Sequence, residues 1–308
     1  MTGLPRSWYP LMCARDLSRG AVRRVDLSGI ALAVFRTHDG QVGALAARCA
    51  HAGADLAHGQ VTESCLRCPL HHRCYSAAGI SVIGPVQRAY PITERWGIVF
   101  AWLGGDPVLP LPSPDGVADG LITAVQEYVV EAPVELIAAN AFDTDHLSSV
   151  HQRKLKQPAE LVKLSEQRIR IIMETQVVGT SLREWILRVA GLDTLRIETD
   201  CWGGNMLFFH HRRFAACALL MLRPDTALRS VGYFLTLRAR PSGVLAAFMA
   251  RVILTLQHRA FLAFAEQDRH VLAGAQNGTM QLDPERDACV ASFFDHWRRL
   301  PIVTEEPR

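Results

Sequence analysis

The chain of 308 residues is short of charge: Asp, Glu, Lys and Arg make up 20% of it, against a usual share of about 25%. Lysine is scarcest, with only Lys154, Lys156 and Lys163 among 33 cationic residues. The net charge of +3 is spread thinly, and no basic run exceeds an Arg-Arg pair. The phosphate-tracking patch that nucleic-acid binding requires is therefore missing, and no nucleic-acid partner is expected. A long hydrophobic run is lacking too. The most apolar stretch, Val244 to Leu256, has 13 residues and contains Arg251, short of the roughly 18 to 20 that span a bilayer. No transmembrane segment is expected. The N-terminus has no charged-then-apolar export pattern, so a reducing cytoplasm is expected, where eight cysteines would point to metal before disulfide. Nor does a Gly-rich dinucleotide fingerprint occur in a βαβ setting, so the chain is not expected to bind a nicotinamide cofactor itself.

What is present is enough for a folded core. Apolar residues (AVILMFWYC) make up 49% of the chain, and at about 150 residues per domain the length suggests two domains. Residues 8 to 103 read as short strands punctuated by turn pairs such as Ser28-Gly29 and Asp39-Gly40, which predicts an all-β domain. Gly104 to Gly120 holds four prolines and four glycines in 17 residues, a linker composition. The boundary is set at 115, giving domains 1–115 and 116–308. The second begins with a predicted strand (121–131) and helix (134–149), followed by apolar strands. A helical pattern then runs from 242 to 275. Together these predict an α+β domain with an antiparallel sheet and flanking helices.

The strongest chemical signal is Cys49-Ala-His51, followed after 16 residues by Cys68-Pro-Leu-His71. Two thiolates and two imidazoles suit a [2Fe–2S] cluster whose second iron is held by nitrogen, because neutral ligands leave the cluster less negative and raise its potential. The same set suits tetrahedral zinc, although zinc fingers usually pair Cys with Cys and His with His. Cys65 and Cys74 flank the second half and read as loop or core thiols, a Cys65-x2-Cys68 zinc or redox pair being the alternative.

A second signal is Asn140-Ala-Phe-Asp143-Thr-Asp-His146-Leu-Ser-Ser-Val-His151. Two histidines and a carboxylate form the facial triad of a mononuclear Fe(II), which leaves adjacent positions open for O2 and substrate. His146 and His151 are five residues apart, about 140° off one helix face, so both can bind one metal only if the helix ends or bulges around Leu147 to Val150. The third ligand is sought on the later helix at Phe264-Ala-Glu266-Gln-Asp268.

Taken together, these motifs resemble the Rieske non-haem iron oxygenases, of the oxygenase α-subunit type. The resemblance covers nearly the whole chain. It implies a Rieske [2Fe–2S] cluster on Cys49, His51, Cys68 and His71 and one Fe(II) on His146, His151 and Asp268, with Glu266 the competing carboxylate. Asn140 and Asp143 then belong to the catalytic machinery, Asp143 linking a cluster histidine of one subunit to an iron histidine of its neighbour in a homotrimer. A separate NAD(P)H-dependent reductase, with or without a ferredoxin, must feed electrons to it. The implied reaction uses O2 to hydroxylate, demethylate, desaturate or cyclise a lipophilic small molecule, aromatic or polycyclic, as in secondary metabolism, and a monooxygenase is favoured over a ring dioxygenase. Two departures stand out: Ala54 occupies the place of the inter-loop disulfide cysteine of respiratory Rieske proteins, and His72 replaces a glycine common after the second cluster histidine. Other readings are an electron-transfer protein without oxygenase activity and a zinc-binding interaction module.

Overall fold

The structure, a computed structural model, describes residues 3–112, 121–189, 191–211, 216–276 and 280–304. The chain divides into two compact units. One holds the residues up to Pro110, with Arg223–Thr226 and the segment from Ile302; the other holds Leu111–Leu222 and Ala227–Pro301. The expected boundary at 115 lies outside the described residues.

Among the described residues, the N-terminal part of the first unit carries strands β1 (Ser7–Cys13), β2 (Val22–Leu27), β3 (Ile30–Arg36), β4 (Val42–Ala46), β5 (Gln60–Val61), β6 (Leu66–Arg67), β7 (Cys74–Tyr75), β8 (Ile92–Arg95) and β9 (Ile98–Leu103). They pair antiparallel in three sheets, ordered β1-β9-β8, β2-β3-β4 and β5-β6-β7. The two-residue turns Ser28-Gly29 and Trp96-Gly97 have positive φ at both positions (48° and 101°, 54° and 76°), the backbone twist that matches a tight hairpin. Tyr9, Leu27, Leu32, Val34 and Leu103 fill one core cluster, and Phe35, Leu56, Leu66 and Tyr75 a second one that includes Cys49 and Cys68.

The second unit contains β10 (Leu121–Val130), α1 (Val134–Asn140), α2 (Thr144–Ser149), β11 (Arg153–Leu155), β12 (Glu160–Ser165), β13 (Arg168–Val177), α3 (Leu182–Val189), β14 (Thr194–Trp202), β15 (Met206–His211), β16 (Ala216–Thr226), β17 (Arg229–Ala239), α4 (Val244–Leu272) and α5 (Ala288–Arg298). Its sheet runs β10-β17-β16-β15-β14-β13-β11, with β12 also on β13. The strict alternation on β13, where Ile169, Ile171 and Met173 are buried between less buried neighbours, shows one face turned to the core.

The continuous helix expected over 134–149 is interrupted. Phe142, fully buried and 4.9 Å from the Phe293 ring, wedges between α1 and α2, and Asp143 starts a new helix as its N-cap. By length and composition α4 is long and apolar enough to cross a bilayer, a property hidden from a reading confined to Val244 to Leu256. One face of α4 is packed: Ala250 and Leu254 lie against Ile122, and His258 Nδ1 is 2.9 Å from the Thr236 hydroxyl.

Candidate metal centres

In the first unit, Cys49 and Cys68 open two turns of the same construction. The Cys49 amide donates to Ala54 O and the Gly53 amide donates back to Cys49 O, both at 2.8 Å. Likewise, the Cys68 amide donates to Arg73 O (2.8 Å) and the His72 amide to Cys68 O (3.1 Å). The fifth residue of each turn is left-handed, Gly53 at φ 73° and His72 at φ 53°. His72 thus takes the glycine conformation at a side-chain cost and keeps the loop, histidine being among the residues that tolerate it best.

These turns put both thiols in the core and both imidazoles outside: Cys49 and Cys68 are buried, while His51 and His71 are exposed, with ring centroids 4.7 Å apart. Burial pushes the Cys49 thiol up, but the Tyr75 hydroxyl, the amides of His51 and Ala52 and the Cys68 thiol outweigh it and hold the thiol low, favouring a thiolate. Partial desolvation, with the nearby Arg73 and His71, holds the His51 imidazole below its usual range and favours the neutral ligand form. A thiolate pair inside and a neutral imidazole pair outside form the donor set of a Rieske cluster, and the residues fit it.

Supports absent from the sequence reading hold these loops. Tyr75 OH lies 3.2 Å from Cys49 Sγ. The buried Gln87 amide accepts from Ala50 N (2.7 Å) and donates to Ala46 O and Arg48 O (both 2.8 Å). Cys65 and Cys74, expected as loop or core thiols, are joined in a disulfide that closes the base of the second loop.

The second unit gathers His146, His151 and Asp268. The helix condition is met: α2 ends at Ser149 with Val150 as its C-cap, which leaves His151 beside His146, and Gln152 at φ 54° then turns the chain away. Asp268 Oδ1 is 2.7 Å from His146 Nε2 and 2.8 Å from His151 Nε2, and the two nitrogens are 3.1 Å apart. Asn140 Nδ2 is a further 3.3 Å from His146 Nε2, so this nitrogen faces more polar atoms than a single proton or lone pair can serve. A cation resolves that crowding. The three atoms are close enough for one ion to touch all of them, and two imidazoles with one carboxylate are the donor set of a facial-triad metal, so the residues fit it.

Helix α4 orients this triangle. Gln267 Oε1 lies 3.0 Å from His151 Nδ1, which fixes the tautomer that turns Nε2 inward, and Phe264 stacks on the His151 ring at 3.5 Å. Burial pushes Asp268 up, but the two imidazoles outweigh it and hold its carboxyl below the usual range. Glu266 is elsewhere, paired with Arg269 at 2.7 Å. Asp143 Oδ1 accepts from the amides of Asp145 and His146, both at 3.0 Å, while Oδ2 has no hydrogen bond among the described residues.

Beside the triangle lies a cavity of about 270 Å³ walled largely by apolar side chains, among them Met173, Ile197, Leu207, Phe209, Leu220 and Phe234. Its polar lining includes Thr199 and Arg153, neither singled out by sequence; the Arg153 guanidinium is held by Thr175 Oγ1 and the carbonyls of Leu192 and Asp193. Phe209 and Phe234 supply aromatic rings to this wall, whereas Phe208 is buried outside it and Trp185 is exposed.

Comparison with known proteins finds a known domain family for each half of the chain. Residues 7–94 match the Rieske [2Fe-2S] domain, and residues 130–295, more than half of the chain, match the vanillate O-demethylase oxygenase C-terminal domain. The chain is 31% identical over 200 residues to a toluene-4-sulfonate monooxygenase system iron-sulfur subunit of Comamonas testosteroni (59% of this chain, 55% of that protein). It is also 31% identical over 164 residues to cholesterol 7-desaturase of Bombyx mori (49% and 36%). The matches thus span about half or less of these relatives' length. Among solved structures, dicamba monooxygenase bound to dicamba superposes with a TM-score of 0.69 at 19% identity (96% and 97% of the two chains). NdmA of Pseudomonas putida with caffeine gives 0.69 at 16% identity (94% and 88%). Fold, donor sets and both domain matches converge: the chain belongs to the Rieske non-haem iron oxygenases, of the oxygenase α-subunit type.

Proposed function

We propose that the protein is the terminal oxygenase of a Rieske system, oxidising a lipophilic aromatic or polycyclic small molecule with O2 and electrons from a separate NAD(P)H-dependent reductase, with or without a ferredoxin. The observation that carries this reading is the His146–His151–Asp268 triangle set at an apolar cavity. Cys49, His51, Cys68 and His71 would hold the cluster, and His146, His151 and Asp268 the iron. When bound, the cluster relays single electrons and the iron activates O2. The chain's own residues bind, orient and shield. Gln267 and Phe264 hold the His151 ring, and the apolar wall takes up the substrate body and excludes water. Asn140 is a polar group within reach of the reacting region.

Asp143 is assigned the link between centres of neighbouring subunits. Its Oδ1 is engaged in capping α2, while Oδ2 is left to accept an imidazole N–H from another chain. A head-to-tail contact of this kind closes into a ring, here a homotrimer.

Metal and acid-labile sulfide analysis tests the reading. The purified protein should contain three irons and two sulfides per chain. Asp268→Ala should lose one iron without sulfide, whereas Glu266→Ala should keep all three. Stoichiometric zinc without sulfide would overturn the assignment, and a reversed pair of variants would move the iron carboxylate to Glu266.

A further inference from the structure

The first half of α4 carries two apolar stripes. Ala250, Leu254 and His258 form the buried one. The other is exposed and comprises Val244 (91% exposed), Leu245 (75%), Phe248 (61%), Met249, Val252 and Leu256. At 100° per residue the centres of the two stripes stand roughly 160° apart, so packing on the sheet leaves the second stripe in water. An exposed apolar patch of this size marks an interaction surface.

Charge identifies what covers it. Between Asp225 and Glu266 the sequence contains no Asp or Glu and five arginines. Arg229 pairs with Glu131 and Arg238 bonds Gln257, but Arg240, Arg251 and Arg259 are exposed and have no ion pair among the described residues. Arg240 precedes the stripe, Arg251 borders it and Arg259 follows it. An apolar strip ringed by unpaired arginines is complementary to a layer with an apolar interior and an anionic surface, into which the side chains insert while the guanidiniums reach back to phosphates. A crossing orientation does not fit the packing, because the opposite face of the helix is held by the sheet through Ala250, Leu254 and His258.

We propose that α4 docks the protein in the plane of an anionic phospholipid bilayer through its Val244–Leu256 stripe. The same helix carries Phe261, Phe264 and Asp268 into the cavity wall, which places a lipid-dissolved substrate on the element that holds the candidate metal carboxylate. The docking itself does not depend on the oxygenase reading, because it is measured without turnover.

The test is flotation of the purified protein with phosphatidylcholine vesicles and with mixed phosphatidylcholine–phosphatidylglycerol vesicles. Binding to the mixed vesicles, reduced by salt, is expected. Arg251→Gln should weaken it about fivefold, and the double variant Leu245→Ser, Phe248→Ser should abolish it with melting temperature and metal content unchanged. Absence of binding to both vesicle types overturns the proposal, as does equal binding by the double variant. A double variant that splits the oligomer in light scattering, with no vesicle binding by the parent, would assign the stripe to a contact between copies instead.

Discussion

Replacing Asp143 by Asn and by Ala should separate the two duties assigned to one carboxylate. Oδ1 accepts the amides of Asp145 and His146, and the second of these belongs to a candidate iron ligand. Asn offers an oxygen of the same reach and is as good an N-cap as Asp, so Asp143→Asn should leave stability within a few tenths of a kcal/mol. Asp143→Ala removes both bonds and should cost about 1 kcal/mol, a fall of about 2–4 °C in the melting of the second unit. Because α2 is only six residues long, that loss frays the turn that carries His146, and part of the mononuclear iron should go with it. Calorimetry and iron content therefore rank the variants as parent, Asn, Ala, with the first two nearly equal. Electron passage ranks them differently: the neutral amide cannot replace a charge that orients imidazole N–H groups, so both variants should reoxidise a reduced cluster slowly under O2. Stopped-flow absorbance reads this directly. Asp143→Asn reoxidising at the parent rate would refute the bridging role, and Asp143→Asn losing iron as Ala does would refute the capping argument.

Three further outcomes are expected. His72→Gly should stabilise the first unit by about 1 kcal/mol in denaturant unfolding, by relieving a left-handed histidine, with the cluster spectrum retained. Cys65→Ser opens a disulfide between residues nine apart and should cost up to about 3 kcal/mol of that unit's stability, yet leave labile sulfide at two per chain, since neither cysteine belongs to the candidate ligand set. Buried Asp200 is pushed up by burial, but hydrogen bonds and charges from Arg170 and His210 outweigh this and hold its carboxyl well below the usual range. A depressed folded value contributes stability above the unfolded pKa and loses it as pH falls. Asp200→Asn should therefore cost about 3 kcal/mol near neutrality, in a gap that narrows below about pH 4; a gap independent of pH would refute it.

Local chemistry made much of this legible. Cys49, His51, Cys68 and His71 stand out because ligand type and spacing act within two short turns, and the five-residue step from His146 to His151 set a condition, a helix that ends or bulges around Leu147 to Val150, which the end of α2 at Ser149 meets. Asp268 lies 122 residues from His146, and only a resemblance could join them. The break at Phe142 was hidden because Asn-Ala-Phe-Asp is compatible with a helix, and only tertiary packing of the phenyl ring decides against it. The disulfide was hidden for a different reason: pairing depends on the hairpin that brings Cys65 and Cys74 together, and spacing alone does not reveal it.

The buried Gln87 amide has an evolutionary consequence. One side chain serves one backbone group in the first cluster turn and two just before it, using one acceptor and two donors. Glu supplies no donor, and shorter or apolar residues leave the amide of Ala50 and two carbonyls orphaned, each at about 1–3 kcal/mol. Drift at this position is therefore closed unless residues 46–50 change their path in the same step. In a set of relatives, position 87 should vary only together with that segment, so an invariant glutamine there would record the shape of a turn and no contact with iron or substrate.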